Sequence, residues 1–179
     1  MKHTLSKLIL DINESKSETS KGLISGYASV FGVLDEQGDR VIHGAFKNSL
    51  SQLKEKNRWP KMLWQHNPQE PIGQWTKIIE DEKGLYVEGS LLLDIQRGRE
   101  AYALLKENVI DGLSIGYRVL EAHKSEVSNE RLLTQVDLLE VSLVTFAANE
   151  KAIITNVKAS QTLTHRLDRL ACKMIASPQ

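Results

Sequence analysis

Strand-like segments separated by turn-forming residues dominate this 179-residue chain. In residues 22–31, apolar side chains such as Ile24 and Val30 alternate with small or polar ones, the pattern of a half-buried antiparallel strand. Residues 71–80 and 85–92 form two further runs, and the Asp-Glu-Lys-Gly between them predicts a hairpin turn. The chain is therefore expected to be mainly β.

Helical spacing is limited to three places. Residues 46–54 and 97–108 repeat apolar side chains at intervals of three and four, which predicts short flanking helices and an α+β class. Residues 162–175 carry a third amphipathic pattern, followed by a tail that should fray. We expect one domain over residues 1–157 and an amphipathic helix with a frayed tail over residues 158–179.

The charge balance argues against several classes of function. The chain has 23 Lys and Arg residues against 23 Asp and Glu residues, so no overall field attracts nucleic acid or an anionic membrane. Its apolar runs are far shorter than the ~18 to 20 residues of a spanning helix, and its start lacks the continuous apolar region of a secretory signal. Cys172 is the only cysteine, so an intrachain disulfide is excluded and an intracellular setting is expected.

A serine between two glycines is the best candidate nucleophile. Residues 112–116 read Gly-Leu-Ser-Ile-Gly, where the glycines allow a sharp or positive-φ path or the close approach of another chain. In the nucleophile elbow of α/β hydrolases a strand precedes the serine and a helix follows it. Here a predicted helix precedes Ser114 and a predicted strand follows it, so that analogy fails. Ser114 at a helix-to-strand turn remains a candidate, and an ordinary serine within a strand is the alternative.

His66 and Glu140 are the candidates for proton transfer. His66 ends an apolar strand and is followed by Asn67-Pro68, which is expected to take the chain out of regular pairing, so its imidazole can enter a cleft. A buried or surface histidine without a catalytic role is the alternative. Glu140 lies inside an apolar run, where an unpaired charge is costly, and His66 could be its partner. An activated serine needs such a base and an acceptor behind it.

Four segments together resemble the prohead proteases of tailed phages, capsid-maturation serine proteases related in fold to the herpesvirus assemblins. The segments are residues 26–31, 63–66, 112–117 and 139–149. The resemblance covers about residues 24–157, most of the chain. It implies a closed, mostly antiparallel β-barrel with flanking helices, of the herpesvirus-protease-like type.

The resemblance also implies the activity. The members of this family are serine endopeptidases that act through an acyl-enzyme. They remove scaffolding segments from capsid proteins inside the immature capsid and usually process themselves. The implied substrate is the major capsid protein or its scaffolding segment, and the implied location is the assembling prohead in the host cytoplasm. A homo-oligomer is one possible state, and neither a metal nor an organic cofactor is implied. A catalytically inactive capsid scaffold or assembly protein on the same barrel, or an unrelated β-barrel binding module, is the alternative.

Matched position by position, the resemblance assigns three roles. Ser114 corresponds to the nucleophile, His66 to the general base and Glu140 to the third member. Asp137 is the alternative acid, and a histidine would replace it if the third member were as in the assemblins. The residues left open for the third member are Asp137, His43 and His123. Arg131 is a candidate for stabilising the oxyanion.

Overall fold

The computed structural model of the chain describes residues 21–125, 128 and 130–159. Within them, two helices accompany eight strands. The helices are α1 (Lys47–Glu55) and α2 (Gln96–Lys106). The strands are β1 (Lys21–Val30), β2 (Asp39–Val41), β3 (Lys61–Trp64), β4 (Asn67–Glu80), β5 (Gly84–Leu92), β6 (Gly112–Lys124), β7 (Arg131–Val144) and β8 (Ile154–Ala159).

The helices α1 and α2 are confirmed to within two residues at each end, and the β4–β5 hairpin is confirmed with β4 beginning four residues earlier than predicted, at Asn67. The amphipathic helix predicted over residues 162–175 and the tail after it lie outside the described residues. Neither described helix is long and apolar enough to cross a membrane.

All eight strands belong to one sheet, in the order β2-β7-β3-β4-β5-β1-β8, with β6 paired to β7. Strand β7 pairs with three other strands of the sheet. Antiparallel β6 follows one of its edges from end to end, while β2 and β3 run parallel to it along the other edge. The remaining pairings are antiparallel.

The expected closure of the barrel is wrong, because the sheet is an open half-barrel. Strand β8 pairs with β1, and only the segment before it reaches the start of β6. The contact consists of a Gly112–Ile153 bridge and hydrogen bonds such as Leu113 N–H to the Ala152 carbonyl, 2.8 Å. Beyond Leu113, no strand among the described residues pairs with the outer edge of β6. Closure would have required β8 to continue along that edge.

One apolar core joins the strands to both helices. Each fully buried large side chain contributes about 1.5 to 3 kcal/mol relative to an exposed one. The indole N–H of Trp75 in β4 also donates to the Val141 carbonyl of β7, 3.3 Å away, which ties two parts of the sheet together through the core. The largest buried side chains are those of Trp75, Phe46, Met62, Ile72, Leu85, Leu91, Leu113, Leu133, Leu138 and Leu143.

Candidate active site

Ser114 is the third residue of β6 and lies directly opposite Ser142 of β7. The expected helix-to-strand turn is therefore wrong, since Gly112 already belongs to the strand. Neither Gly112 nor Gly116 has a positive φ. Both instead allow a close approach: a Cβ at Gly112 would lie 2.7 Å from the Val144 carbonyl oxygen, and one at Gly116 would overlap the Glu140 carboxylate.

The Ser114 side chain is largely buried, with 9% of the residue exposed. Its hydroxyl makes no hydrogen bond to any part of the chain that the structure describes. The hydroxyl is therefore not committed to a structural partner, which leaves it available to a neighbouring general base.

His66 lies in the two-residue turn that joins β3 to β4, rather than at the end of a strand. Gln65 and His66 have φ of 51° and 59°, the left-handed geometry of a tight hairpin. The predicted interruption of pairing at Pro68 is confirmed: Trp64 is opposite Asn67 and Leu63 is opposite Pro71, so residues 68–70 have no counterpart in β3. The turn is fixed to β7 by Gln65, whose N–H donates to the Leu143 carbonyl at 2.9 Å and whose side-chain amide donates to Thr145 Oγ1 at 2.8 Å.

Glu140 lies against His66. Its Oε1 is 2.5 Å from His66 Nδ1, and its Oε2 accepts a hydrogen bond from the Ser142 hydroxyl at 2.6 Å. Glu140 is opposite Gly116 in the same pairing that sets Ser114 opposite Ser142. Directly opposed residues share a face of a sheet. Ser114, Ser142 and Glu140 are thus on one face, with the His66 turn above them.

The Glu140 contact shifts the pKa of His66 and fixes its tautomer. The hydrogen bond to Glu140 raises the pKa of His66 above its usual 6.5, aided by the attraction between the charges and opposed by partial burial. A carboxylate can only accept, so Nδ1 carries the proton in this contact. In the neutral imidazole Nε2 is then unprotonated and can accept a proton.

Ser114 and His66 line the same cavity, which has a volume of about 390 Å³. Strand β6 forms one side of it from Ser114 to Val119, and the loop between β7 and β8 contributes Asn149. The cavity continues to Arg131, at the far end of β7. A groove that follows a strand in this way fits an extended peptide.

Arg131 is committed to a buried carboxylate. Its guanidinium donates to both oxygens of Asp39, at 2.6 and 2.5 Å, and Asp39 also accepts from the Tyr117 hydroxyl at 3.1 Å. The hydrogen bonds from Arg131 hold the pKa of Asp39 below its usual value despite burial. Arg131 therefore stabilises the cavity wall, and its use as an oxyanion donor stays a prediction.

The alternative third members lie elsewhere. An oxygen of the Asp137 carboxylate lies 3.9 Å from the Arg118 guanidinium. His123 Nε2 lies 3.6 Å from Glu121 Oε1 on an exposed part of β6. His43 packs edge-on against Phe31 and lines a different cavity. In the described part of the chain, no group of three or more His, Cys, Asp or Glu residues could hold a metal ion.

One residue of the site, Ser142, has no role in the predictions from the sequence, and it contacts both His66 and Glu140. Gly116, one of the glycines predicted to allow a close approach, makes room for the carboxylate. The Glu-Val-Ser order of residues 140–142 was the available indication of Ser142, because residues i and i+2 of a strand share a face.

A family model and two relatives of known identity agree on the family of this chain. A family model described as caudovirus prohead serine protease matches residues 8–166. The prohead protease of Enterobacteria phage HK97 is 34% identical over 163 residues, covering 89% of this chain and 71% of the relative. The prohead protease of Escherichia phage T5 is 27% identical over 150 residues, covering 83% and 70%.

The fold has a counterpart among solved structures. The capsid assembly protease of bacteriophage T4 superposes with a TM-score of 0.53 at 9% identity, covering 68% of this chain and 82% of that one. At this identity the similarity concerns the fold alone.

Proposed function

Because this chain belongs to the caudovirus prohead serine protease family, we propose that it removes the scaffolding segment from capsid proteins inside the assembling prohead. It is a serine endopeptidase of capsid maturation. In the proposed mechanism Ser114 is the nucleophile, His66 is the general base and Glu140 is the acid that orients His66. Self-processing belongs to the same proposal, because the chain would use the same groups on its own peptide bonds.

One observation carries the assignment of residues. The 2.5 Å contact between His66 Nδ1 and Glu140 Oε1 occurs at the cavity that also contains the uncommitted Ser114 hydroxyl. This contact leaves Nε2 of neutral His66 as the acceptor for the serine proton. No other histidine in the described residues lines that cavity.

The proposed reaction is acyl transfer in two halves. Ser114 Oγ attacks the peptide carbonyl carbon while His66 Nε2 takes the hydroxyl proton, and His66 then gives that proton to the leaving amine as the C–N bond breaks. In the second half, water attacks the ester carbonyl carbon and loses a proton to His66 Nε2, and His66 gives that proton to Ser114 Oγ as the ester C–O bond breaks and the acid product leaves. The substrate strand would lie along the groove beside β6, whose outer edge beyond Leu113 pairs with no strand of residues 21–159 that the structure describes.

Co-expression with the capsid protein of the same phage tests this function. Cleavage of the capsid protein should be lost in Ser114→Ala and in His66→Ala, with both variants folded by circular dichroism. His123→Ala is the matched control, because that histidine is exposed and outside the cavity, and it should cleave normally. Normal processing by Ser114→Ala would contradict the proposal and favour a catalytically inactive assembly protein.

A further inference from the structure

Ser142 contacts two members of the site through one hydroxyl group. Its Oγ accepts a hydrogen bond from the backbone N–H of His66 at 3.2 Å and donates one to Glu140 Oε2 at 2.6 Å. It also lies directly opposite Ser114 in the β6–β7 pairing. A single side chain thus links the backbone of the base to the carboxylate of the acid, next to the nucleophile.

The His66 turn depends on such links. Left-handed geometry is unfavourable at residues other than glycine, and here it occurs at two successive residues, Gln65 and His66. The bonds of Gln65 to Leu143 and Thr145 hold the first residue of the turn. The Ser142 hydroxyl holds the second, because it accepts from the His66 amide.

Ser142 is fully buried, so the effect of its hydroxyl differs from that of a surface group. Without the hydroxyl, the His66 amide and Glu140 Oε2 would each lose a hydrogen-bond partner. Because the Ser142 site is buried, water cannot readily replace that partner there. Groups left unpaired in this way favour other arrangements in which they regain a partner. The turn and the carboxylate would then shift independently of each other.

We propose that Ser142 is a positioning residue of this protease, whose hydroxyl holds the His66 turn and the Glu140 carboxylate in one arrangement and so keeps His66 Nε2 available to Ser114. This role rests on the proposed functions of Ser114, His66 and Glu140. Ser142 itself forms no bond to substrate and exchanges no proton with it.

The Ser142→Thr and Ser142→Val variants form the sharpest test. Threonine and valine have almost the same size, so both add the same crowding to a buried position, and only threonine keeps the hydroxyl. We expect kcat/KM on a capsid-protein peptide to be about 10-fold higher for Ser142→Thr than for Ser142→Val, the size of one hydrogen bond's effect. Equal values for the two variants would overturn the proposal.

A double-mutant cycle separates positioning from general stability. Ser142→Ala should lower kcat/KM about 10-fold in the native enzyme but only about threefold in a Glu140→Gln background, because the link to the carboxylate is already altered there and mainly the link to the His66 amide remains to be lost. An equal loss in both backgrounds would overturn the role. Ser49→Ala is the control: Ser49 is also buried, and its hydroxyl accepts from the Leu138 amide of β7 at 2.9 Å. It should lower the melting temperature and leave kcat/KM within about twofold.

Titration of His66 by NMR provides a readout that does not need cleavage, and it uses the full chain carrying Ser114→Ala. Loosening Glu140 should move the His66 inflection to lower pH in Ser142→Ala, because the Glu140 hydrogen bond is the main cause of its raised pKa. The charges of Asp35 and Arg131, which also line the cavity, should affect the pKa of His66 equally in the Ser114→Ala protein with and without Ser142→Ala. An unmoved inflection would overturn the positioning role, whereas cleavage by the Ser114→Ala protein would overturn the proposed function instead.

Discussion

Gly116 provides the space that the Glu140 carboxylate occupies, and Gly116→Ala removes that space. A Cβ built at residue 116 overlaps Oε1 of Glu140 and lies 2.8 Å from both its Cδ and its Cγ. Carbon atoms are most stable about 3.5 to 4.0 Å apart, so the carboxylate must move. The φ of Gly116 is not left-handed, so the strand backbone itself accepts alanine.

The size of the effect follows from what holds the carboxylate. Oε1 is the atom that contacts His66 Nδ1 at 2.5 Å, while Oε2 accepts from Ser142 at 2.6 Å. Moving Oε1 breaks at least the first of these, and a hydrogen bond to a charged group is worth about 1.5 to 3 kcal/mol. At 1.36 kcal/mol for each factor of ten, kcat/KM should fall roughly 10- to 150-fold.

The assay is cleavage of a capsid-protein peptide by purified full-length protein, with kcat/KM measured across pH. Gly22→Ala is a matched control, because its added methyl meets the Tyr102 ring and not the site. It should lower stability and leave kcat/KM of the folded protein within about twofold. If Gly116→Ala keeps wild-type kcat/KM with an unchanged pH profile, the carboxylate contact does not orient the base.

Three further changes test other parts of the account. Glu140→Gln should move the acidic limb of kcat/KM to lower pH, because His66 loses the main cause of its raised pKa and becomes neutral sooner; an unmoved limb would contradict this. Arg131→Met should make acid unfolding, followed by circular dichroism, begin at higher pH. The depressed pKa of Asp39 gives stability that is present above the unfolded value and lost as pH falls through the folded one. The free energy of unfolding at pH 7 should fall by about 1 to 3 kcal/mol, less than for breaking a fully buried ion pair, because Arg131 is half exposed. An unchanged pH midpoint of acid unfolding would refute this prediction. Leu113→Ala should lower the free energy of unfolding in urea by about 2 to 5 kcal/mol, since Leu113 is fully buried, and a loss below 1 kcal/mol would contradict its place in the core.

Local patterns in the sequence were sufficient for much of the fold. The β4–β5 hairpin and the helices α1 and α2 follow from spacing and turn residues that act over a few positions. The open side of the half-barrel does not follow from them. Whether β8 continues along β6 depends on how two distant edges meet, and neither edge carries a local mark of that outcome.

The site was predictable in its chemistry and not in its geometry. A carboxylate in the apolar run of β7 needs a partner, which made the pairing of Glu140 with His66 a reasonable expectation. The turn that carries His66 was hidden, because Gln65-His66 lacks the glycine or asparagine that usually marks left-handed turns. The Glu-Val-Ser order indicates that Ser142 shares a face with Glu140, and only the register of β6 and β7 sets it opposite Ser114.

Labelling of the active serine by a phosphonate tests the central claim most directly. Full-length protein is treated with a phosphonate that reacts with activated serine hydroxyls, and the adduct is located by peptide mass spectrometry. We predict a single adduct on Ser114, with the rate of labelling at least ~100-fold lower in His66→Ala, since general-base assistance is typically worth that much. An adduct on another serine, or labelling of Ser114 at an unchanged rate in His66→Ala, would contradict the account.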